Sequence, residues 1–266
     1  MADKAFLVDT TKCTGCKACQ AACKQWNNLP AEEKPSFPKE YTCPESLSAI
    51  TFNHVIIQKM EIPASDRIVF QMMHKKCFHC EVPNCRTVCP ADAVYKNDYW
   101  VVIDREKCIG CRECEKACIY GVPHVADRDY NEYGTGRFIN KNKAYKCHAC
   151  TEKTRDVPAC VSVCPSDALT FDYRLKIAAN AKKRLKAVKN EFPNASIYGL
   201  EEFGGLHVIT ILKDSPDKFG LEKNPAPIKA KRAENRKEIY GVLSRFAFGL
   251  PSLKRAFYKL SKHLIS

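Results

Sequence analysis

The sequence contains no run of about 20 apolar residues, the length a helix needs to cross a bilayer. Near the C-terminus the uncharged stretch Phe246 to Leu253 carries Pro251 and ends at Lys254, so it does not supply one. The opening residues, MADKAFLVDTTKC, reach a cysteine without the apolar core of a secretory leader, and no leader is expected. Patterns of hydrolytic and nucleotide chemistry are missing too. There is no nucleophile elbow, phosphate-binding loop, dinucleotide glycine fingerprint or His-Glu-x-x-His helix. The Gly204–Gly205 pair, and Gly134 with Gly136, read as isolated loop glycines. These absences exclude the enzyme classes that those motifs serve.

Cysteine, by contrast, is abundant, with 17 among 266 residues. Cys108, Cys111, Cys114 and Cys118 stand at C-x2-C-x2-C-x3-C, after a strand-like Ile103–Asp104 lead and with Gly110 relaxing the loop. Cys13, Cys16, Cys19 and Cys23 repeat that spacing without change, again after an apolar–acidic lead, Phe6 to Asp9. Cys77, Cys80, Cys85 and Cys89 widen the second gap to four residues, and Cys147, Cys150, Cys160 and Cys164 widen it to nine. Proline follows the last cysteine of these two sets, as Pro90 and Pro165. Such a repeated unit dominates any reading of the fold. Only Cys43 stands outside the sets, and it reads as a tolerated thiol.

Three chemistries accept this many thiols. Disulfides fit poorly, because neighbours two residues apart in one loop are badly placed to bridge and longer links need no such regularity. Four all-cysteine zinc sites are a better-shaped rival, yet zinc modules usually present C-x2-C pairs. Three closely spaced thiols plus a distant fourth suit a [4Fe–4S] cube, in the bacterial ferredoxin spacing whose last cysteine ligates the other cluster. Under that exchange Cys13, Cys16 and Cys19 take Cys164, while Cys147, Cys150 and Cys160 take Cys23. Likewise Cys77, Cys80 and Cys85 take Cys118, and Cys108, Cys111 and Cys114 take Cys89. The alternative is that each set closes on itself. A cube held by four cysteines has no open iron for a substrate, so four closed cubes would pass single electrons, not catalyse.

The net charge of +13 looks like a nucleic-acid signature until the cofactors are counted. Four oxidised cubes on thiolates would bring about −8 and leave about +5. The remaining basicity gathers in Lys229 to Ser266, where ten Lys and Arg oppose Glu234 and Glu238. That segment is a candidate surface for an acidic partner or a membrane face.

An α+β architecture follows, with two bacterial-ferredoxin-like domains of two [4Fe–4S] clusters each and a helical C-terminal extension. Sets two and three are adjacent and make one domain, 76–134, around a hairpin turning near Asn97–Asp98. Sets one and four must then pair across it, giving a discontinuous domain, 1–75 and 135–175. Its expected parts are a strand over Ala5–Val8, a proline-bearing connector (Pro30, Pro35, Pro38, Pro44), a hairpin of Phe52–Met60 and Ile68–Met73 turning at Pro63, and a closing strand over Ala168–Phe171. His124 to Lys146 reads as a loop. Residues 176–235 form a helix–strand extension, with a helix over Ile177–Asn190, a strand over Leu206–Leu212 and a break at Asn224–Pro227. The helix buries Ile177, Ala181, Leu185 and Val188 and shows Lys182, Lys183, Arg184, Lys186 and Lys189, as a solvated helix or, alternatively, one for nucleic acid. Residues 236–266 end in a basic amphipathic helix with Leu253, Phe257, Leu260 and Leu264 on one face. A partner subunit, a membrane surface or the chain's own body are open as its docking place. His79 and His148, inside two ligand loops, are read as polar neighbours of the clusters, with tuning of a cluster as the sharper alternative.

With four sets in this order, the stretch from about residue 4 to 175 resembles the four-cluster iron–sulfur (β) subunits of molybdenum/tungsten bis-pterin oxidoreductases. CTGCKACQAACKQWNNLPAE, PNASIYG and GGLHVITIL are similar to the formate dehydrogenase members. The resemblance implies four [4Fe–4S] clusters on the sixteen cysteines, because no ligand position is replaced by tryptophan. It implies a molybdopterin catalytic subunit on one side and a membrane quinone-linked or cytochrome subunit on the other. Membrane association is then expected through partners, on an undecided side. Some relatives anchor themselves by a C-terminal transmembrane helix, in place of which this chain carries the charged segment. The same role in a thiosulfate, polysulfide or dimethyl sulfoxide reductase, or as a free polyferredoxin, is the alternative; nucleic acid is not an expected partner.

Overall fold

The computed structural model of the chain describes residues 3–32, 41–61, 68–130, 139–151, 155–223, 225–228, 238, 240–241 and 250–263. Outside the described residues lie Pro35, Pro38, the turn at Pro63, Gly134, Gly136, Asn224, most of the basic run after Lys229, and Leu264. In chain order the elements are β1 (Lys4–Asp9), α1 (Ala18–Trp26), β2 (Asn53–Glu61), β3 (Ile68–Lys76), α2 (Asn84–Thr87), β4 (Val94–Asn97), β5 (Trp100–Ile103), α3 (Glu113–Ala117), β6 (His124–Val125), β7 (Ala144–Tyr145), α4 (Ala159–Ser162), β8 (Leu169–Tyr173), α5 (Arg174–Val188), β9 (Ser196–Tyr198), β10 (Val208–Leu212) and α6 (Pro251–His263).

Alternation in β1 builds the centre. Ala5 and Leu7 face one side, where Ile177 and Ala181 of α5 pack on them with Ile209 and Ile211. Phe6 and Val8 face the other, against Trp100, Phe78, Tyr120 and Tyr198. The sheet has the order β8-β1-β10-β9, with β1 antiparallel to β8 and parallel to β10. The 176–235 stretch therefore lends β10 to the same sheet as the first strand. β10 is apolar at every position but Thr210 and buried throughout, because both of its faces are covered. α5 starts at Arg174, before the expected Ile177, and buries Ile177, Ala181 and Val188.

Among the described residues three two-stranded ribbons accompany this sheet: β2 with β3, β4 with β5, and β6 with β7. The last is a correction to the loop expected over 124–146, since a two-residue ladder is too short to leave a periodic signal. The stretch before β10 also does more than extend a strand. Glu81 N–H donates to Gly205 O (2.8 Å) and His207 N–H to Phe78 O (3.0 Å), so GGLH laces the loop of the second cysteine set to the sheet. No helix among the described residues is long and apolar enough to cross a membrane. Tyr258 of α6 is buried against Tyr240 and Ile109, and Arg255 Nε–H donates to Ile109 O (2.5 Å), so α6 rests on the protein's own third cysteine loop.

Candidate metal centre

Local backbone geometry repeats with the cysteines. The residue two after the first cysteine of each set is left-handed: Gly15 (φ 71°), His79 (50°), Gly110 (66°) and Ala149 (55°). Lys17 (60°) and Arg112 (66°) add a second left-handed residue at the same place in the two identical sets. Asp92 (46°) and Asp167 (51°) sit three residues after the cysteines that precede proline. Each non-glycine among them costs about 1–2 kcal/mol. The turn aims successive N–H groups inward, forming a concavity for anions. His79 N–H accordingly points at Cys77 Sγ (3.4 Å) and Ala149 N–H at Cys147 Sγ (3.5 Å), while Ala144 N–H reaches Cys108 Sγ (3.4 Å) from β7.

The loops bring cysteines of different sets together. One cavity, about 420 Å³ and partly open to solvent, is lined by Cys13, Cys16, Cys19 and Cys164. A second, about 330 Å³, is lined by Cys23, Cys147, Cys150 and Cys160. A third of similar size is lined by Cys89, Cys108, Cys111 and Cys114. The remaining four also gather, with Cys77, Cys85 and Cys118 close enough to Cys80 to add to the upward push that burial gives its thiol. Neighbouring groups adjoin in turn: Cys160 acts on Cys19, Cys77 on Cys147, and Cys85 on Cys114. The four groups thus stand in a row, from Cys13 at one end to Cys108 at the other. Cys43 lines none of these cavities.

Among the described residues, no three Cys, His, Asp or Glu side chains converge on a point that would hold a single metal ion. The thiols ring a space instead, which suits a polynuclear cluster better than one zinc ion. Burial pushes the thiols up, Cys19, Cys111 and Cys147 to about 12 and Cys80, Cys85 and Cys114 further still. A cationic core would offset that burial and hold such thiols as thiolates. The donor set, its spacing and its inward N–H groups fit a [4Fe–4S] cluster. Cys16 is the exposed thiol, at the open end of the row.

The two loop histidines have fixed places. Val101 N–H donates to His79 Nδ1 (3.2 Å), leaving the proton on Nε2 of a wholly buried ring. His148 Nε2 faces Asn27 Oδ1 (2.8 Å), and Asn27 Nδ2 reaches Cys23 O (2.9 Å), tying the fourth loop to the first. Three buried residues escaped the sequence reading. His74 Nε2 lies 2.9 Å from Cys19 Sγ, and Lys76 Nζ lies 3.9 Å from Cys160 Sγ and 3.3 Å above the Phe6 ring. Lys146 Nζ donates to Val101 O and to Cys147 O (2.9 Å). A signal for the lysines does exist: Lys12, Lys76, Lys107 and Lys146 each precede the first cysteine of a set.

Comparison with known proteins agrees with this chemistry. Residues 68–174 match the family model of a 4Fe-4S dicluster domain. The formate dehydrogenase iron-sulfur subunit of Haemophilus influenzae is 30% identical over 230 residues, 83% of this chain and 69% of the relative. The formate dehydrogenase-O iron-sulfur subunit of Escherichia coli K12 is 31% identical over 230 residues, 83% of this chain and 71% of the relative. A polypeptide of the anaerobic dimethyl sulfoxide reductase of the same organism is 34% identical over 173 residues, 62% of this chain and 71% of the relative. This identity, over most of both sequences, places the protein in the family of formate dehydrogenase iron–sulfur subunits.

Proposed function

We propose that this chain is the electron-transfer subunit of a formate dehydrogenase-type complex, carrying single electrons along four [4Fe–4S] clusters. Cys13, Cys16, Cys19 and Cys164 hold one; Cys23, Cys147, Cys150 and Cys160 hold the next. Cys77, Cys80, Cys85 and Cys118 hold the third, and Cys89, Cys108, Cys111 and Cys114 the last. The observation that carries this reading is the row of cysteine groups, each built from three thiols of one set and one of another. When bound, the clusters supply one-electron chemistry and no open coordination site. The protein's own residues exclude water, aim N–H groups at sulfur and fix the spacing. A molybdopterin catalytic subunit at one end and a membrane quinone-linked or cytochrome subunit at the other are the partners of this reading, and membrane association comes through them.

Likeness to the dimethyl sulfoxide reductase polypeptide favours, second, the same role beside a different catalytic subunit. Anaerobic purification from the native host tests both readings. About sixteen irons per chain, a broad brown absorbance bleached by dithionite and a copurifying molybdopterin subunit are expected. Formate-dependent bleaching distinguishes the first reading from the second. Far fewer irons, or a stable lone monomer, would overturn the electron-transfer subunit.

A further inference from the structure

Among the described residues, Lys76 and Lys146 are the two most deeply placed lysines or arginines beside the cysteine row, 1% and 5% exposed. Neither forms a carboxylate ion pair among the described residues. A buried ammonium without an anion is expensive, so some other negative charge must face it. Among the described residues the sulfurs are the groups placed to supply it. Lys76 Nζ lies between groups: 3.9 Å from Cys160 Sγ, and felt by Cys19 of the first group and by Cys23, Cys147 and Cys150 of the second. Lys146 occupies the next junction, beside Cys77 and Cys85 of the third group and Cys147 of the second. Each is locked in place, Lys76 over the Phe6 ring and Lys146 by the carbonyls of Val101 and Cys147.

We propose that Lys76 and Lys146 are fixed positive charges wedged at two successive junctions of the cysteine row, and that they raise the reduction potential most for the group both adjoin, Cys23, Cys147, Cys150 and Cys160. This rests on the four-cluster reading above. The step concerned is a one-electron reduction, in which an electron from a reduced neighbour adds one negative charge to the cluster and no bond or proton changes. A nearby ammonium stabilises the product more than the reactant, and burial keeps water from screening it. A low point in energy at the second group would hold an electron there, between the exposed end and the interior.

Potentiometric titration of the anaerobically purified complex, followed by electron paramagnetic resonance, tests this on Lys76→Met and Lys146→Met. Each should lower the reduction equilibrium constant of the second cluster at least tenfold, about 59 mV for one electron, and both together should lower it further. Lys76→Arg and Lys146→Arg should keep the wild-type value. Unchanged potentials at full iron content would overturn the inference while leaving the electron-transfer reading intact. A wild-type protein without clusters would overturn both. Should a methionine variant fail to hold iron, glutamine at the same position is titrated in its place. If neither neutral residue loads but arginine does, the cage needs a cation, which supports the inference; if arginine also fails, shape and not charge is required, which counts against it.

Discussion

His74 Nε2 stands 2.9 Å from Cys19 Sγ at the most exposed end of the row. His74 is itself buried, and its Nδ1 has no hydrogen-bond partner among the described residues. The proton therefore belongs on Nε2, where it donates to sulfur. Donation to a ligand sulfur favours the reduced, more negative state. His74→Leu is expected to lower the potential of the cluster on Cys13, Cys16, Cys19 and Cys164 by about 30–60 mV. His74→Gln, which keeps an N–H, should restore most of it. A redox titration in which leucine and wild type coincide removes the histidine from any tuning role.

The two identical cysteine sets should differ in their tolerance of a methyl group. A Cβ at Gly110 would lie 2.2 Å from Asn142 O, whereas one at Gly15 would meet only side-chain carbons, Ile57 Cδ1 at 3.2 Å and Met72 Cγ at 3.3 Å. Both glycines are left-handed, so alanine costs about 1–2 kcal/mol at either. Only at Gly110 must backbone also move. Gly110→Ala is expected to lose about four irons per chain and Gly15→Ala none; equal iron contents would refute the distinction.

Arg184 is not the solvated residue its place on a lysine-rich helix implies. Its guanidinium reaches Asp9 Oδ2 (2.9 Å) and Thr11 Oγ1 (3.0 Å), and Asp9 is buried. Arg184→Ala leaves that carboxylate without its cation and should cost about 1–2 kcal/mol, the arginine being partly exposed. Exposed Lys183→Ala should fall within about 0.5 kcal/mol of wild type. Urea unfolding of the cluster-loaded protein measures the contrast.

Tyr258 anchors α6 beside Ile109, which lies between Cys108 and Cys111, ligands of the last cluster in the proposed assignment. Tyr258→Ala removes the buried ring and should loosen this cover by about 3 kcal/mol. The cluster on Cys89, Cys108, Cys111 and Cys114 is then expected to bleach several-fold faster in air, while the others keep their rates. Uniform bleaching of all signals would show that α6 shields nothing in particular.

Much of this was legible in the amino-acid order. The ligand loops, the ribbon turning at Asn97–Asp98, the β2–β3 ribbon and the amphipathic α5 all carry local signals: fixed spacing, alternation and a 3.6-residue period. The parallel pairing of β1 with β10, some 200 residues apart, carries none. Nor does the ladder of β6 with β7, or the docking of α6 on the third loop, because each depends on what the rest of the fold places opposite.

Lysine placement shows the division most plainly. A lysine before the first cysteine recurs in all four sets, at Lys12, Lys76, Lys107 and Lys146, so sequence alone determined where a cation could sit beside each cage. Lys12 and Lys107 stay in water, whereas Lys76 and Lys146 are sealed between cages. Only the tertiary structure decided that, because the solvent around a charge is set by distant segments packing over it, and a dipeptide does not encode what will cover it.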